Sequence, residues 1–268
     1  IRGKLEEQGI ADDVELNVIP MGHAFQLGPF GIKLMPLAHS ILEMSALLID
    51  TPYGKIFHTG DWKLDAEPVI GQPSTEEQLR AVGDEGILAL VCDSTNVFNS
   101  GDSGSEGSVK ADLIKSVKAA RGRVVVTTFA SNAARLQTLG EVAREAGRKL
   151  CFAGRSLQKI IQASQATGYL KDLPELVDME AVDGLPRHEV MVVATGGQGE
   201  ARAALARIAE GNHPVKLEEG DTVIFSSKQI PGNEIAIGHV MNHLARRNIL
   251  TVTEKQAHVH VSGHPGRP

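Results

Sequence analysis

Five short apolar runs in the second part of the chain, GRVVVTTFA, KLCFAG, EVMVVATGG, DTVIFSS and ILTVT, are separated by stretches of helical periodicity. This alternation constrains the fold more than any other feature. Leu136, Leu139, Ala143 and Ala146 recur at helical spacing, which predicts a helix over residues 133–146. Further helices are expected over residues 156–169, 200–210 and 233–247. Apolar β runs that alternate with helices pair as a parallel sheet with helices on both faces, because each crossover must cover a sheet surface. In such sheets ligands sit beyond the carboxyl ends of the strands. An α/β class follows for residues 106–268.

Residues 1–105 are organised differently. GIKLMPLAH reads as a strand ending at His39, and SALLIDTPYGKIFHTGD as a hairpin turning at Pro52-Tyr53-Gly54 and ending at Asp61. ILALVCDST reads as a strand ending at Asp93, and the polar stretch from Asp65 to Gly86 as a loop with a helical turn. With 268 residues, 42% of them hydrophobic, the chain can bury one large core or two adjoining ones. No long uncharged apolar run is present, so no membrane span or membrane partner is expected. The two cysteines, Cys92 and Cys151, sit in separate apolar runs. They read as buried free thiols and suit a reducing cytoplasm. The net charge of −6 gives no support to non-specific nucleic-acid binding by bulk charge, so any RNA contact needs a local groove and bound metal.

The chemically capable residues fall at the strand ends. His39 and Asp61 each follow an apolar run. Imidazole nitrogen and carboxylate oxygen suit zinc, and a carboxylate can bridge two cations, although the same two groups also form ordinary polar pairs at strand ends. His58 reads as a packing or ligand-supporting imidazole. Asp93-Ser94-Thr95 has the composition of a turn or helix cap. Phe129-Ala130-Ser131-Asn132, with Arg135 one turn on, can cradle a phosphate or simply cap a helix.

Thr195-Gly196-Gly197-Gln198-Gly199-Glu200 lacks the lysine of GxxxxGK[ST] and the spacing of GxGxxG. That excludes those nucleotide loops and leaves backbone turning. Ser226 and Ser227, ahead of Ile230-Pro231-Gly232-Asn233-Glu234, can donate to phosphate oxygens. His239 and His243 share a helix face without the glutamate of HExxH, and read as surface or packing residues. The densest cluster is His260-Val261-Ser262-Gly263-His264, where two imidazoles and a hydroxyl can bind phosphate or move a proton, and glycine permits close backbone approach. His258 falls outside it and has no assigned role.

Taken together, His39-Ser40, HTGDWKLD, CDSTN, FASN, SS…IPGNE and HVSGH resemble the ribonuclease J family of metallo-β-lactamase/β-CASP nucleases, in that family's order and along essentially the whole chain. The resemblance implies a partial metallo-β-lactamase fold with an inserted β-CASP domain, and RNA in the cleft between them. It implies that His39 binds one zinc, that Asp61 bridges two, and that Asp93 holds a neighbouring histidine or positions the reacting phosphate. Phe129, Ala130, Ser131 and Ser227 would contact RNA, with Phe129 a base-stacking partner. His260, Val261, Ser262, Gly263 and His264 would contact the terminal nucleotide, and His264 would stabilise or protonate near the scissile phosphate. Asp61, Asp93 and His264 are thus the expected catalytic residues.

The implied reaction is hydrolysis of RNA phosphodiesters, 5′→3′ and internally, with a preference for 5′-monophosphate ends. It would serve cytoplasmic RNA decay and rRNA maturation, in a homodimer or homotetramer. The family's remaining ligands lie in an HxHxDH motif and a further histidine, neither of which occurs here. The expectation is an internal piece that alone neither holds two zincs tightly nor cleaves RNA. Two rivals are a non-catalytic RNA-binding or assembly subunit of the β-CASP family and, more remotely, a metallo-β-lactamase-type hydrolase of a small ester or thioester.

Overall fold

The computed structural model describes residues 1–267. After a short helix α1 (Arg2–Glu7), the strands divide into two five-stranded sheets. The first sheet runs in sequential order through β1 (Ala24–Leu27), β2 (Phe30–Pro36), β3 (Ser45–Thr51), β4 (Gly54–His58) and β5 (Ile87–Val91). Neighbours from β1 to β4 are antiparallel, and β5 lies parallel to β4. The carboxyl ends of β2, β4 and β5 therefore open on one edge. The expected hairpin is present, with Thr51 opposite Gly54 and its hydroxyl donating to the Gly54 carbonyl at 2.7 Å. Ala46 and Leu48 alternate inward on β3 and meet Met35, Leu37, Phe57 and Val82 in a small core.

The stretch after Asp65 holds more structure than its polar composition suggested. Helix α2 (Glu76–Asp84) starts at a capping box in which the Thr75 amide donates to Gln78 Oε1 at 2.9 Å. Only Val82 of this helix is buried, with Leu79 partly so, which leaves a short apolar pattern inside a polar stretch. Cys92 also departs from expectation. It is exposed, because it follows an edge strand whose Leu88, Leu90 and Val91 face solvent. Cys151 is buried as expected, and burial pushes its thiol up to about 12.

The second sheet comprises β6 (Val124–Thr127), β7 (Lys149–Ala153), β8 (Val190–Ala194), β9 (Thr222–Phe225) and β10 (Leu250–Val252). All its pairings are parallel, in the order β10-β9-β6-β8-β7. Helices α3 (Lys110–Ala119), α4 (Ala133–Glu145) and α5 (Arg155–Ala166) cover one face, where Leu113, Leu136 and Leu157 meet Val126 and Ile224. Helices α6 (Ala204–Ala209) and α7 (Glu234–Ala245) cover the other, where Ile208 and Leu244 meet Val125 and Val223.

Every residue of β6, β8 and β9 is buried, which explains why these runs are continuously apolar rather than alternating. The chain winds outward from β6 to β7, returns to β8, then crosses to β9 on the other side of β6. The crevice for a ligand thus falls at the carboxyl ends of β6, β8 and β9. Helix α6 begins at Ala204 rather than at Glu200. The intervening loop needs positive φ at Gly196 and Gly199, and a Cβ on Gly199 would stand 2.6 Å from the Ile237 nitrogen of α7. Among the described residues no helix is long and apolar enough to cross a membrane.

Candidate active site

His39 lies just beyond β2, Asp61 just beyond β4 and Asp93 just beyond β5, so the first sheet delivers all three to one edge. The segment after β10 brings His264 to the same place. The His39 Nδ1–H donates to the Gly263 carbonyl at 2.7 Å. That bond leaves the Nε2 lone pair free, 4.0 Å from Asp61 Oδ2. Gly263 is dictated by this approach, since a Cβ there would stand 2.7 Å from His39 Nδ1. Burial lowers the His39 pKa below the ordinary imidazole value; the Gly263 carbonyl opposes the shift and the His264 charge adds to it. The shift favours the neutral ring, the state in which imidazole binds a metal.

The His264 ring sits edge-on to that of His39, with centroids 4.9 Å apart. Its Nδ1–H donates to Asp93 Oδ2 at 2.7 Å, and the other Asp93 oxygen accepts the Thr95 amide at 2.8 Å. Burial works to raise the Asp93 carboxyl, but hydrogen bonds from Thr95 and His264 outweigh it and hold the pKa below the usual carboxylate value. The two aspartates differ in availability. The Asp93 side chain is 3% exposed and committed to protein partners, whereas that of Asp61 is 66% exposed and free to meet a ligand. One ligand atom each from His39, Asp61 and His264 lie within 4.8 Å of one another, a donor set that suits zinc.

Residues 121–244 match the family described as Ribonuclease J, beta-CASP domain. The chain carries a ribonuclease J β-CASP domain. It is 41% identical to Ribonuclease J of Sinorhizobium meliloti over 256 residues, which is 95% of this chain and 45% of that protein. It is 40% identical to Ribonuclease J of Thermus thermophilus over 267 residues, and 38% identical to Ribonuclease J 1 of Streptococcus pyogenes over 270 residues. The chain spans about half the length of these curated relatives, 45% to 48%. A crystal structure of a protein of unknown function from Enterococcus faecalis shares the fold over 93% of this chain and 56% of its own, with a TM-score of 0.59 at 14% identity.

The β-CASP domain brings some expected residues to the crevice and withdraws others. Phe129 and Ser131 are exposed, and Ala130 is half-buried, at the carboxyl end of β6. Asn132 is the N-cap of α4, its side-chain oxygen accepting the Arg135 amide at 2.9 Å. Arg135 is not part of a phosphate cradle: it is fully buried and bound to Glu106, Ser226 and the Val259 carbonyl. Ser226 is also withdrawn, because its hydroxyl donates to the Val259 carbonyl at 2.7 Å. Among the described residues Ser227 Oγ has no hydrogen-bond partner, and neither do Thr127 Oγ1 at the end of β6 and Thr128 Oγ1 just after it.

In the HVSGH segment, Val261 packs into the core and Ser262 Oγ accepts the His264 amide at 3.1 Å. The His260 ring is largely buried with Nδ1 unpartnered. Burial, then the charges of Arg135 and Lys228, push its pKa down to about 3.

The histidines outside the site have ordinary roles. His58 Nδ1 accepts the Gly60 amide at 3.1 Å and shapes the turn into Asp61, while His258 pairs with Ser108 Oγ at 2.9 Å. His239 is exposed and His243 half-buried on α7. Asn96, the last residue of CDSTN, has no role that its sequence context assigns. Its Nδ2 donates to Ser262 Oγ at 2.7 Å and to the His264 carbonyl at 3.0 Å, joining the Asp93 loop to the HVSGH loop.

Proposed function

We propose that this chain forms the substrate-holding and part of the metal-holding wall of a zinc-dependent ribonuclease of the ribonuclease J kind. The observation that carries this reading is the convergence of His39, Asp61 and His264, with Asp93 behind His264. In this reading residues 1–105 belong to a metallo-β-lactamase domain and residues 106–268 to the β-CASP domain. His39 and Asp61 hold zinc, with further ligands supplied by a polypeptide of the relatives' length. A zinc ion held there would supply Lewis acidity, acidifying a bound water and offsetting charge at the phosphate.

The chain's own residues supply the rest. His264 delivers a proton from Nε2 toward the leaving oxygen, and Asp93 fixes the ring and stabilises its protonated form. Ser227, with Ser131 and the polar groups of the segment from His260 to Gly263, grips the phosphates and terminal nucleotide while Val261 anchors that segment in the core, and Phe129 stacks a base. Substrates are 5′-monophosphorylated RNAs, cleaved 5′→3′ and internally in cytoplasmic RNA decay and rRNA maturation by a homodimer or homotetramer. A second reading makes His264 a third zinc ligand, favoured by its place in the same 4.8 Å cluster.

The test is zinc titration by calorimetry together with a cleavage assay on 5′-phosphorylated RNA. The 268-residue chain alone should bind fewer than two zincs tightly and turn over no RNA. A full-length polypeptide carrying it should bind zinc and cleave; failure to cleave overturns the reading. His264→Gln separates the two roles, since loss of rate with zinc content intact supports the proton donor and loss of zinc supports the ligand.

A further inference from the structure

Four charged side chains lie buried between the two halves of the molecule, and together they run from the metal-side loops to the substrate-side strand ends. Lys63, two residues after Asp61, donates its amide to the carbonyl of Ala38, the neighbour of His39, at 2.8 Å. Its ammonium lies 3.3 Å from Asp65 and donates to the Gly104 carbonyl at 2.8 Å. Asp65 Oδ2 in turn accepts the Glu106 amide at 3.2 Å. The Glu106 carboxylate pairs with Arg135 Nε. Arg135 Nη1 then reaches the Ser226 hydroxyl, the Ser226 carbonyl at 3.2 Å and the Val259 carbonyl at 3.1 Å. Ser226 immediately precedes Ser227, and Val259 immediately precedes His260.

Exposure is 3% for Lys63, 4% for Asp65, 7% for Glu106 and 0% for Arg135. Stability alone does not call for this arrangement, because apolar residues of similar volume in place of a buried ion pair are often as stable or more so. Charged groups supply direction instead. A guanidinium is a rigid planar group, and here it holds Glu106 through Nε while Nη1 reaches both the Ser226 and Val259 segments, a span that a single ammonium does not bridge in one fixed geometry. We propose that Arg135, anchored through Glu106, Asp65 and Lys63, is a positioning residue that sets the Ser227 and His260 segments at a fixed place relative to His39 and Asp61. The proposal rests on the ribonuclease reading above.

The test compares a full-length polypeptide carrying this chain with three variants, measuring kcat, KM, zinc content and thermal unfolding in parallel. Arg135→Lys keeps the charge beside Glu106 and loses the planar group. The double variant Glu106→Leu with Arg135→Met replaces the pair with apolar bulk, and Ser226→Ala removes one acceptor without touching a charge. Because a misplacement of about 1 Å can cost on the order of 100-fold, the first two variants should lose about 10- to 100-fold in kcat and Ser226→Ala several-fold. KM should move less than kcat, and zinc content and the unfolding temperature of Arg135→Lys should stay near wild type.

Wild-type kcat and KM in the variants that fold would overturn the proposal. So would a loss of rate that merely tracks the unfolded fraction. If the wild-type polypeptide itself does not cleave RNA, the ribonuclease reading fails first. If it cleaves and the variants match it, only the positioning role fails.

Discussion

The two sheets bury their residues in different ways. In the parallel sheet, β6, β8 and β9 are enclosed on both faces, and the apolar clusters on either side are packed by helices of the same chain. In the first sheet burial alternates, its core is small, and β5 presents Leu88 and Leu90 at 64% and 62% exposure. The parallel-sheet half thus closes its own core, while the other half places chemistry at one edge without enclosing itself. Stability resides mainly in the first of these regions. The candidate site belongs to neither alone, because Asp93 comes from the first sheet and its partner His264 from beyond the second.

The largest expected effect lies at that junction. Asp93→Asn in a full-length polypeptide should lower kcat by about 10²- to 10⁴-fold, since the amide can no longer stabilise a protonated His264. The unfolding temperature should change little, because the retained side-chain oxygen can still accept the Thr95 amide. Steady-state cleavage of 5′-phosphorylated RNA, beside a thermal melt, reads both quantities.

Next comes the enclosed core. Leu139 is fully buried on α4 against the parallel sheet, and Leu139→Ala should cost about 2–5 kcal/mol in urea unfolding. A cost below about 1 kcal/mol would break the claim that this half carries the stability.

A smaller effect follows from His260. Its folded pKa of about 3 lies below the ordinary 6.5, so the unfolded chain binds a proton that the folded chain does not. Stability from this residue is complete above about 6.5 and falls as pH drops from there toward 3. The slope is at most about 1.4 kcal/mol per pH unit. His260→Gln should flatten the fall in urea midpoint between pH 7 and pH 5, and an unchanged slope would place the acid sensitivity elsewhere. The smallest effect is expected at the exposed strand, where Leu88→Ser should stay within about 0.5 kcal/mol in the same urea experiment.

Much of this organisation is legible in the sequence, for physical reasons. The runs that became β6 to β10 are continuously apolar because parallel strands are covered twice, and that pattern survives without any tertiary knowledge. His39, Asp61 and Asp93 stand out because each ends an apolar run, and the HVSGH cluster because functional groups are dense there. The misses share a cause as well. Helix α2 offers only a short apolar pattern inside a polar stretch, and Cys92 is exposed because its strand is an edge. Arg135 reads as a phosphate ligand until Glu106, Ser226 and Val259 are seen around it. Asn96 meets Ser262 only when loops 166 positions apart converge. Long-range closure leaves no local signature in a sequence.

The most direct test of the account is RNA cleavage by a chelated full-length polypeptide carrying this chain while zinc is titrated back. The wild-type protein should lose cleavage on chelation and regain it with zinc, and the variant with both His39→Ala and Asp61→Asn should not regain it. Cleavage that survives chelation, or full recovery in that variant, would contradict the assignment of His39 and Asp61 to the metal.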